Sequence, residues 1–529
     1  MYRILVSDKL GQAGLDRLEA AEDTVYEMKT GLSKDELLAI MPEYDALIVR
    51  SGTKVDEDVL RAGTNLKVVG RAGMGVDNID LRAATLAGII VMNTPGANST
   101  ATAEQAMALM LGVSRHLAEA HSSLAGGEWK RSMFTGTELM GKTLGIVGFG
   151  RVGRLVSQRA LAFGMNVLAY DPFVSEEVAA ELDVTLVDLD DLLAESDYIT
   201  LHTALLEETE EMVNKKTIAM MKDGVVIINA ARGKLINDHD LAAALKSGKV
   251  KAAGIDVYRQ EPPLEDNPLL SAPNVLHTPH LGASTVEAQR VVAEMIVDQV
   301  LDALRGTDFL NTLNMPFRVG GGGFAEIRPF MELAEKLGKL HKSLADGPIT
   351  RVEVEVQGDT VTELVRAIAA GILKGLVDDT VDFPINYINA PVVAAESGIE
   401  ITQTKGIKAL DYPNLITCRA EWDGGEQVLS GVLFGGSEPR IVQVDDYQLD
   451  ARPEGVVLIM GNRDVPGVIG RVGTLMAKYN VNIGEWRLGR DHPGGEALSF
   501  INLDSEPPQE VLDELAGAEG VTVMHLVTL

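Results

Sequence analysis

From Tyr2 through residue 315, short apolar runs rich in Val and Ile alternate with stretches of helical periodicity, and this pattern leaves little choice of fold. The runs are Tyr2–Val6, Ala46–Val49, Lys67–Val69, Leu144–Val147, Asn166–Ala169, Tyr198–Leu201, Val225–Asn229 and Gly254–Val257. A short strand with no polar alternation is buried on both faces, which calls for parallel strands joined by crossover helices. The architecture implied is doubly wound α/β. The chain has 529 residues, room for three or four domains at roughly 150 residues each.

After Pro316 the pattern changes. The four glycines Gly320–Gly323 read as a linker. Ala325–Leu344 has apolar residues at helical spacing, RVEVEVQG alternates as a strand, and a second helix is expected near Val361–Ile372. This α+β stretch, 317–452, carries no cluster that reads as catalytic. Arg440 and Arg452 can bind an anion there, with surface charge as the alternative. The last segment orders as strand Gly455–Met460, helix Pro466–Tyr479, strands Asn482–Leu488 and Glu496–Leu503, helix Pro508–Ala516 and strand Val521–Leu529. That is the split βαβ, or ferredoxin-like, arrangement.

Charge and cysteine content exclude several functions. Lys and Arg total 47 against 77 Asp and Glu, a formal net charge of −30, so nucleic acid and anionic membrane are poor partners. An anionic ligand has to be met by a local cluster of cations. The single cysteine, Cys418, allows no disulfide within the chain and no cysteine-based metal site. No metal-ligand pattern is read elsewhere. The N-terminus runs into a strand pattern without the apolar core of a signal peptide, and no run is long and apolar enough to span a bilayer, so a cytoplasmic location is expected.

The first chemical motif is the buried strand Lys142–Val147 opening into Gly148-Phe149-Gly150-Arg151-Val152-Gly153 and a helix. Gly148 allows the tight turn, Gly150 lets the backbone approach a pyrophosphate, and Gly153 lets helix and strand pack closely. The helix N-terminus offers free N–H groups to the phosphates. The next strand ends in Asp171, at about the 20-residue spacing of an acid that accepts from ribose hydroxyls and disfavours a 2′-phosphate. The cofactor read from this is NAD.

Three later segments each place a reactive side chain at or beyond a strand end: Arg232 after Val225–Ala231, Glu261 after Gly254–Tyr258, and His280 after Val275–Thr278. In a doubly wound sheet those ends face the ligand crevice. An Arg can bind a carboxylate bidentately, a His can carry the hydroxyl proton, and a Glu can orient the imidazole. That set suits hydride transfer at a 2-hydroxy or 2-oxo acid. Singly, each residue is also an ordinary surface or packing residue.

The motifs GKTLGIVGFGRVG, NAARGKL, the EPP after GIDVY, and TPHLGAST carry a resemblance. On them, residues 1–315 resemble the D-isomer-specific 2-hydroxyacid dehydrogenase family. The whole chain resembles its long-form branch, in which an intervening domain and an ACT domain follow. The resemblance implies NAD-dependent oxidation of 3-phosphoglycerate to 3-phosphohydroxypyruvate, the first step of phosphorylated serine synthesis. It implies a substrate domain from 1–97 and 283–316, an NAD domain over 98–282, an intervening domain over 317–452 and an ACT domain over 453–529. Arg232, Glu261 and His280 are then the catalytic set. Arg151 and Val152 join the pyrophosphate site, His202 and Thr203 line the cofactor pocket, and Ala230, Asp256 and Gly282 lie near the ribose and nicotinamide. The loop GRAGMGVDNID brings Arg71, Ala72 and Gly73 to the acid. Arg50 and Arg131, otherwise surface charges, match phosphate-binding arginines, the latter reaching across a homodimer or homotetramer. Asn462, Asp464 and Asn482 match an amino-acid effector site, with L-serine as the effector and a purely dimerising module as the alternative. Two positions depart from the family pattern. Met74 replaces Val or Thr and is expected to pack, and Ala204 replaces Pro and frees its loop. Turnover of another 2-oxo acid such as 2-oxoglutarate, or a non-catalytic dinucleotide sensor, remain as alternatives.

Overall fold

The computed structural model describes residues 1–318, 323–359, 361–378, 380–381, 383–406 and 412–529. The described residues form four sheets. The first has the order Thr24–Met28, Tyr2–Val6, Ala46–Val49, Val68–Arg71, Ile90–Met92, with every neighbour parallel. The second runs Val275–His277, Val250–Ile255, Val225–Asn229, Tyr198–Leu201, Thr143–Val147, Asn166–Tyr170, Thr185–Leu186, again all parallel. Its strand order reverses between Thr143–Val147 and Tyr198–Leu201, which opens a crevice at the carboxyl ends there. Tyr198–Leu201 and Val225–Asn229 are buried at every position, as strands covered on both faces must be.

The chain returns to the first sheet after completing the second. Thr285 caps the helix Val286–Arg305 by accepting from the Ala288 N–H, and Gly306, in the left-handed region at φ 68°, ends it. The helix packs Ile296 and Val300 onto the first sheet at Gly70, where an added Cβ would lie 2.6 Å from Val300. Thr312 then bridges to Met92, and the Asn314 side chain pairs with the Val91 N–H and the Ile89 carbonyl, covering that sheet edge.

The third sheet has the order Glu400–Gly406, Ile349–Gln357, Leu415–Trp422, Gly425–Phe434, Glu438–Val444, Tyr447–Ala451. Val352, Val354 and Val356 face one way into a core with helices Phe324–Leu344 and Val365–Val377. The fourth, antiparallel, runs Ile483–Arg490, Glu496–Leu503, Val456–Arg463, Val521–Thr528. One of its faces buries Leu458, Met460, Ile501 and Leu503 under helices Val468–Lys478 and Gln509–Ala516. The other buries Val457, Ile459, Leu498 and Phe500 in the same core as Phe330, Leu337 and Leu340 of Phe324–Leu344. The two C-terminal sheets therefore share one apolar interior.

The expected elements are present, with shifted ends. Gly254–Val257 is the end of a longer strand, Val250–Ile255, which stops where Asp256 turns its side chain to a neighbouring loop. The helix expected at Val361–Ile372 is a short turn at Thr362–Leu364 followed by Val365–Val377. Gly320–Gly322 of the glycine run lie outside the described residues, and Gly323, at φ 75°, directly precedes Phe324–Leu344. Among the described residues no helix is long and apolar enough to cross a membrane.

Cys418 is buried, and that burial pushes its thiol pKa up. Its carbonyl accepts from His341 Nε2 at 3.1 Å, and burial pushes the His341 pKa down to about 4. The folded ring stays neutral while the unfolded one protonates near its ordinary value, so this contribution to stability is complete above about pH 6.5 and is lost as pH falls towards 4. We expect His341→Gln to make the acid-side loss of unfolding free energy shallower in that window, as read by urea denaturation across a pH series.

Candidate active site

The glycine loop follows Thr143–Val147 at the strand-order reversal. Gly148 has φ 93°, and a Cβ on it would stand 2.7 Å from the backbone of His202 and Thr203. A Cβ on Gly153 would stand 2.2 Å from the Gly148 carbonyl, so the helix Arg151–Ala162 rests directly on the turn. Gly150 is different. Its φ of −76° suits any residue and nothing lies within 4 Å of its added Cβ, which leaves a clear approach to the loop backbone. Asp171 holds this loop, accepting from the Phe149 N–H at 2.8 Å and the Phe173 N–H at 2.9 Å.

Around the loop, Arg151 is exposed and Val152 half-buried at the helix start, and Thr203 is half-buried. His202 shares a 2.9 Å hydrogen bond with Thr200 through Nε2, while its buried Nδ1 has no partner. Burial pushes its pKa down to about 4, so the ring is neutral at physiological pH. The loop after Ala204 is tied down despite the missing proline, because Thr209 Oγ1 donates to the Ala204 carbonyl at 2.8 Å. These groups form a cradle for a dinucleotide: open backbone N–H groups at a helix N-terminus, an orphaned imidazole nitrogen, and a carboxylate beside the second strand.

Beyond the other strand ends, His280 and Glu261 meet, and Arg232 is near enough for its charge to lower the Glu261 pKa. His280 Nδ1 donates to Glu261 Oε2 at 2.6 Å, and Glu261 Oε1 accepts from the Tyr258 N–H at 3.1 Å. Desolvation raises the Glu261 pKa, but the His280 hydrogen bond and the charges of His280 and Arg232 outweigh it, so the net shift is downward and the carboxylate stays ionised. His280 Nε2 has no protein partner among the described residues. Arg232 is held by packing of its turn: a Cβ on Gly233 would lie 1.9 Å from the Tyr258 carbonyl carbon, locking the Arg232 turn to the one that carries Glu261.

Asp256 supports this set from below. Fully buried, it accepts from Thr278 Oγ1 at 2.5 Å and from the N–H groups of Leu281 and Gly282 at 2.8 and 2.9 Å. Gln105 Nε2 also donates to this carboxylate at 3.4 Å. Ala230 and Ala72 turn their methyls into apolar cores, leaving only backbone to face a ligand.

The first sheet contributes cations. A Cβ on Gly73 would occupy the place of Arg71 Nη1, and one on Gly75 the place of Arg232 Nη2, so both glycines clear space for guanidinium groups. Arg71 is half-buried, and its buried Nε has no partner. Desolvation, then the charges of Arg232 and Arg50, push its pKa down to about 10. Arg50 lies on a loop held by Asp8, which accepts from the Arg50 and Thr53 N–H groups at 2.6 and 3.1 Å. Met74 does not pack as expected; it is 44% exposed because the loop lifts its side chain away from the core, while its carbonyl accepts from Asn93 Nδ2. Arg131 sits on the exposed turn Arg131–Phe134 and makes no hydrogen bond or ion pair among the described residues.

Each residue expected to bind an effector has a protein partner within the single chain. Asn462 is buried in its strand and accepts from Ser499 Oγ at 2.9 Å. Asp464 pairs with Arg490 at 3.1 Å instead of standing free for an ammonium group, and Asn482 donates to Asp504 at 2.7 Å. Arg440 is likewise engaged, with Glu438 and Asp450.

Comparison with known proteins gives the family. The family profile for the NAD-binding domain of D-isomer specific 2-hydroxyacid dehydrogenases matches residues 107–282, that for the D-3-phosphoglycerate dehydrogenase intervening domain 326–445, and that for the ACT domain 456–520. The chain is 43% identical over 521 residues to a D-3-phosphoglycerate dehydrogenase of Archaeoglobus fulgidus, covering 98% of both chains. It is 42% identical over 530 residues to that of Methanocaldococcus jannaschii, covering 99% of this chain and 100% of the relative. The chain belongs to the D-3-phosphoglycerate dehydrogenase family. Among solved structures it resembles D-lactate dehydrogenase of Aquifex aeolicus complexed with NAD and lactic acid, with a TM-score of 0.53, 29% identity, and coverage of 57% of this chain and 96% of that one.

Sequence reading missed Asp77, Asn93, Gln105 and the Tyr258–His277 pair, whose hydroxyl and Nδ1 lie 2.7 Å apart. Of these only Asp77 carried a signal, its place in the loop that holds Arg71. The open space above Gly150 gives a test. Gly150→Val leaves the thermal midpoint of the cofactor-free protein unchanged but weakens NADH about tenfold or more, since the new methyls stand where the pyrophosphate must approach. Fluorescence titration with NADH reads this.

Proposed function

We propose that the protein oxidises 3-phosphoglycerate to 3-phosphohydroxypyruvate as an NAD-dependent dehydrogenase. The observation that carries this is the Arg232, Glu261 and His280 cluster at the strand ends beside the glycine loop. Gly148 to Gly153, Asp171, His202 and Thr203 would hold the dinucleotide, with Ala230 and Gly282 contributing backbone. Bound NAD supplies the hydride acceptor at its nicotinamide ring.

The protein's own residues do the remaining work. His280 Nδ1–H is engaged by Glu261, which leaves Nε2 as the atom that takes the C2 hydroxyl proton. The ionised Glu261 fixes the ring orientation and compensates the imidazolium that forms. Arg232 binds the substrate carboxylate and polarises the developing carbonyl. The orphaned Nε of Arg71, with Arg50 close enough to depress its pKa, offers the cationic pocket that an anionic substrate of a −30 chain requires.

The reading extends to a homodimer or homotetramer. Leu117, Leu124, Trp129 and Met133 are exposed apolar side chains that a second copy can cover, and Arg131 is assigned to the substrate phosphate across that contact. The domain division 1–97 with 283–316, 98–282, 317–452 and 453–529 is supported by the return of Val286–Arg305 to the first sheet. L-serine is taken as the effector on the strength of the ACT match. Its side-chain contacts would have to be completed by a partner copy or by release of the Asp464–Arg490 pair. A cytoplasmic location belongs to the same proposal.

Purified protein with NAD, 3-phosphoglycerate and a hydrazine trap is expected to produce NADH. Turnover of 2-oxoglutarate alone would replace the substrate assignment. His280→Ala should lower kcat about 10²- to 10⁴-fold while NADH still binds; unchanged kcat removes His280 as the proton carrier.

A further inference from the structure

Arg232 is the residue on which substrate orientation rests in the proposed reaction, yet the second sheet alone does not fix its guanidinium. Nη1 donates to the carbonyl of neighbouring Ala231 at 2.7 Å. Nε donates across the cleft to Asp77 Oδ2 at 2.8 Å. Asp77 belongs to the loop of the first sheet, 155 residues away in sequence, so this contact ties one lobe to the other. Nη2 lies where a Cβ of Gly75 would be, and that same Cβ would be 3.1 Å from Asp77 Oδ2. One loop thus both clears the space for the guanidinium and supplies the acceptor that sets its rotation.

The electrostatics require such a group. Arg50, Arg71 and Arg232 are close enough for the first and last to depress the Arg71 pKa, while Asp77 and Asp8 act in the opposite sense. Asp8 is committed to the Arg50 loop. Asp77 is therefore the carboxylate that keeps Arg232 within this group before an anionic substrate arrives. We propose that Asp77 is a positioning residue for Arg232: it holds Nε so that the Nη2 edge is presented to the substrate carboxylate. Asp77 is not a catalytic residue, since nothing requires it to touch the reacting atoms. The inference rests on the assignment of Arg232 to the substrate carboxylate.

The test uses the full chain with Asp77→Ala and Asp77→Asn. Oxalate probes the carboxylate subsite and inorganic phosphate the phosphate subsite, and oxalate binding is read from the fluorescence of bound NADH, so it stays measurable whatever the true substrate. Failure of the wild-type protein to oxidise 3-phosphoglycerate would count against the functional reading alone. Both side chains are partly exposed, 31% for Arg232 and 56% for Asp77, which moderates the expected effect. Asp77→Ala is expected to raise the KM for 3-phosphoglycerate and the oxalate Kd about tenfold, with phosphate inhibition and NADH Kd within about twofold of wild type. Asp77→Asn should recover most of the loss, because its amide oxygen still accepts from Nε. The proposal is overturned if Asp77→Ala leaves KM and oxalate affinity unchanged. It is also overturned if phosphate and NADH binding weaken in step with them, or if Asp77→Asn is no better than Asp77→Ala.

Discussion

The carboxylate of Asp256 accepts from Thr278, Leu281 and Gly282 at once, and this fixes the loop that carries His280. His280 itself adopts φ 54°, a left-handed conformation unfavourable for a side chain with a Cβ, and its own N–H donates to the Asp256 carbonyl at 2.7 Å. A loop bent in this way persists only when several contacts over-determine it. The same residue ends the strand Val250–Ile255 and begins the turn through Tyr258 to Glu261. One buried acid therefore fixes the His280 end of the His280–Glu261 hydrogen bond, and the Tyr258 N–H holds the other.

The opposite wall of the cleft is built against the charge of the whole molecule. A chain with a net charge of −30 repels an anion at long range, and only short-range cations in a partly desolvated pocket can reverse that locally. Gly73 and Gly75 make the reversal sterically feasible, since side chains there would displace Arg71 and Arg232. Crowding three guanidinium groups is costly without an anion. The buried Nε of Arg71 is left without a partner there, and desolvation with the neighbouring guanidinium charges lowers the Arg71 pKa.

The C-terminal half obeys a different constraint. Helix Phe324–Leu344 crosses Val365–Val377 at glycines: a Cβ on Gly338 would lie 2.1 Å from the Ile372 carbonyl, and one on Gly375 would lie 2.0 Å from that of Glu335. Such close approach leaves the helix little freedom to slide. Its far face is shared with the ACT sheet through Phe500 and Val457, and its first turns pack Phe324 and Ile327 with Phe317, just after the segment covering the first sheet. Interiors packed this way move as units.

How much of this was legible in the sequence depended on whether a residue's job was local. The glycine loop was readable because each glycine answers a backbone requirement within its own turn, and the element order of the last 75 or so residues was readable because strand and helix periodicities are local too. Edge strands Thr24–Met28 and Thr185–Leu186 escaped notice because half-exposed strands carry mixed patterns. Arg232, Glu261 and His280 were found through motifs, yet what holds them was not. Asp77, Gln105 and Gly233 act on partners that only the tertiary fold brings near, and no spacing in the chain announces a contact such as Asp77 to Arg232. The effector residues show the converse. Asp464 and Asn482 fit a motif, but the folded single chain gives each a neighbour, Arg490 and Asp504, so a ligand must compete with contacts that the motif does not reveal.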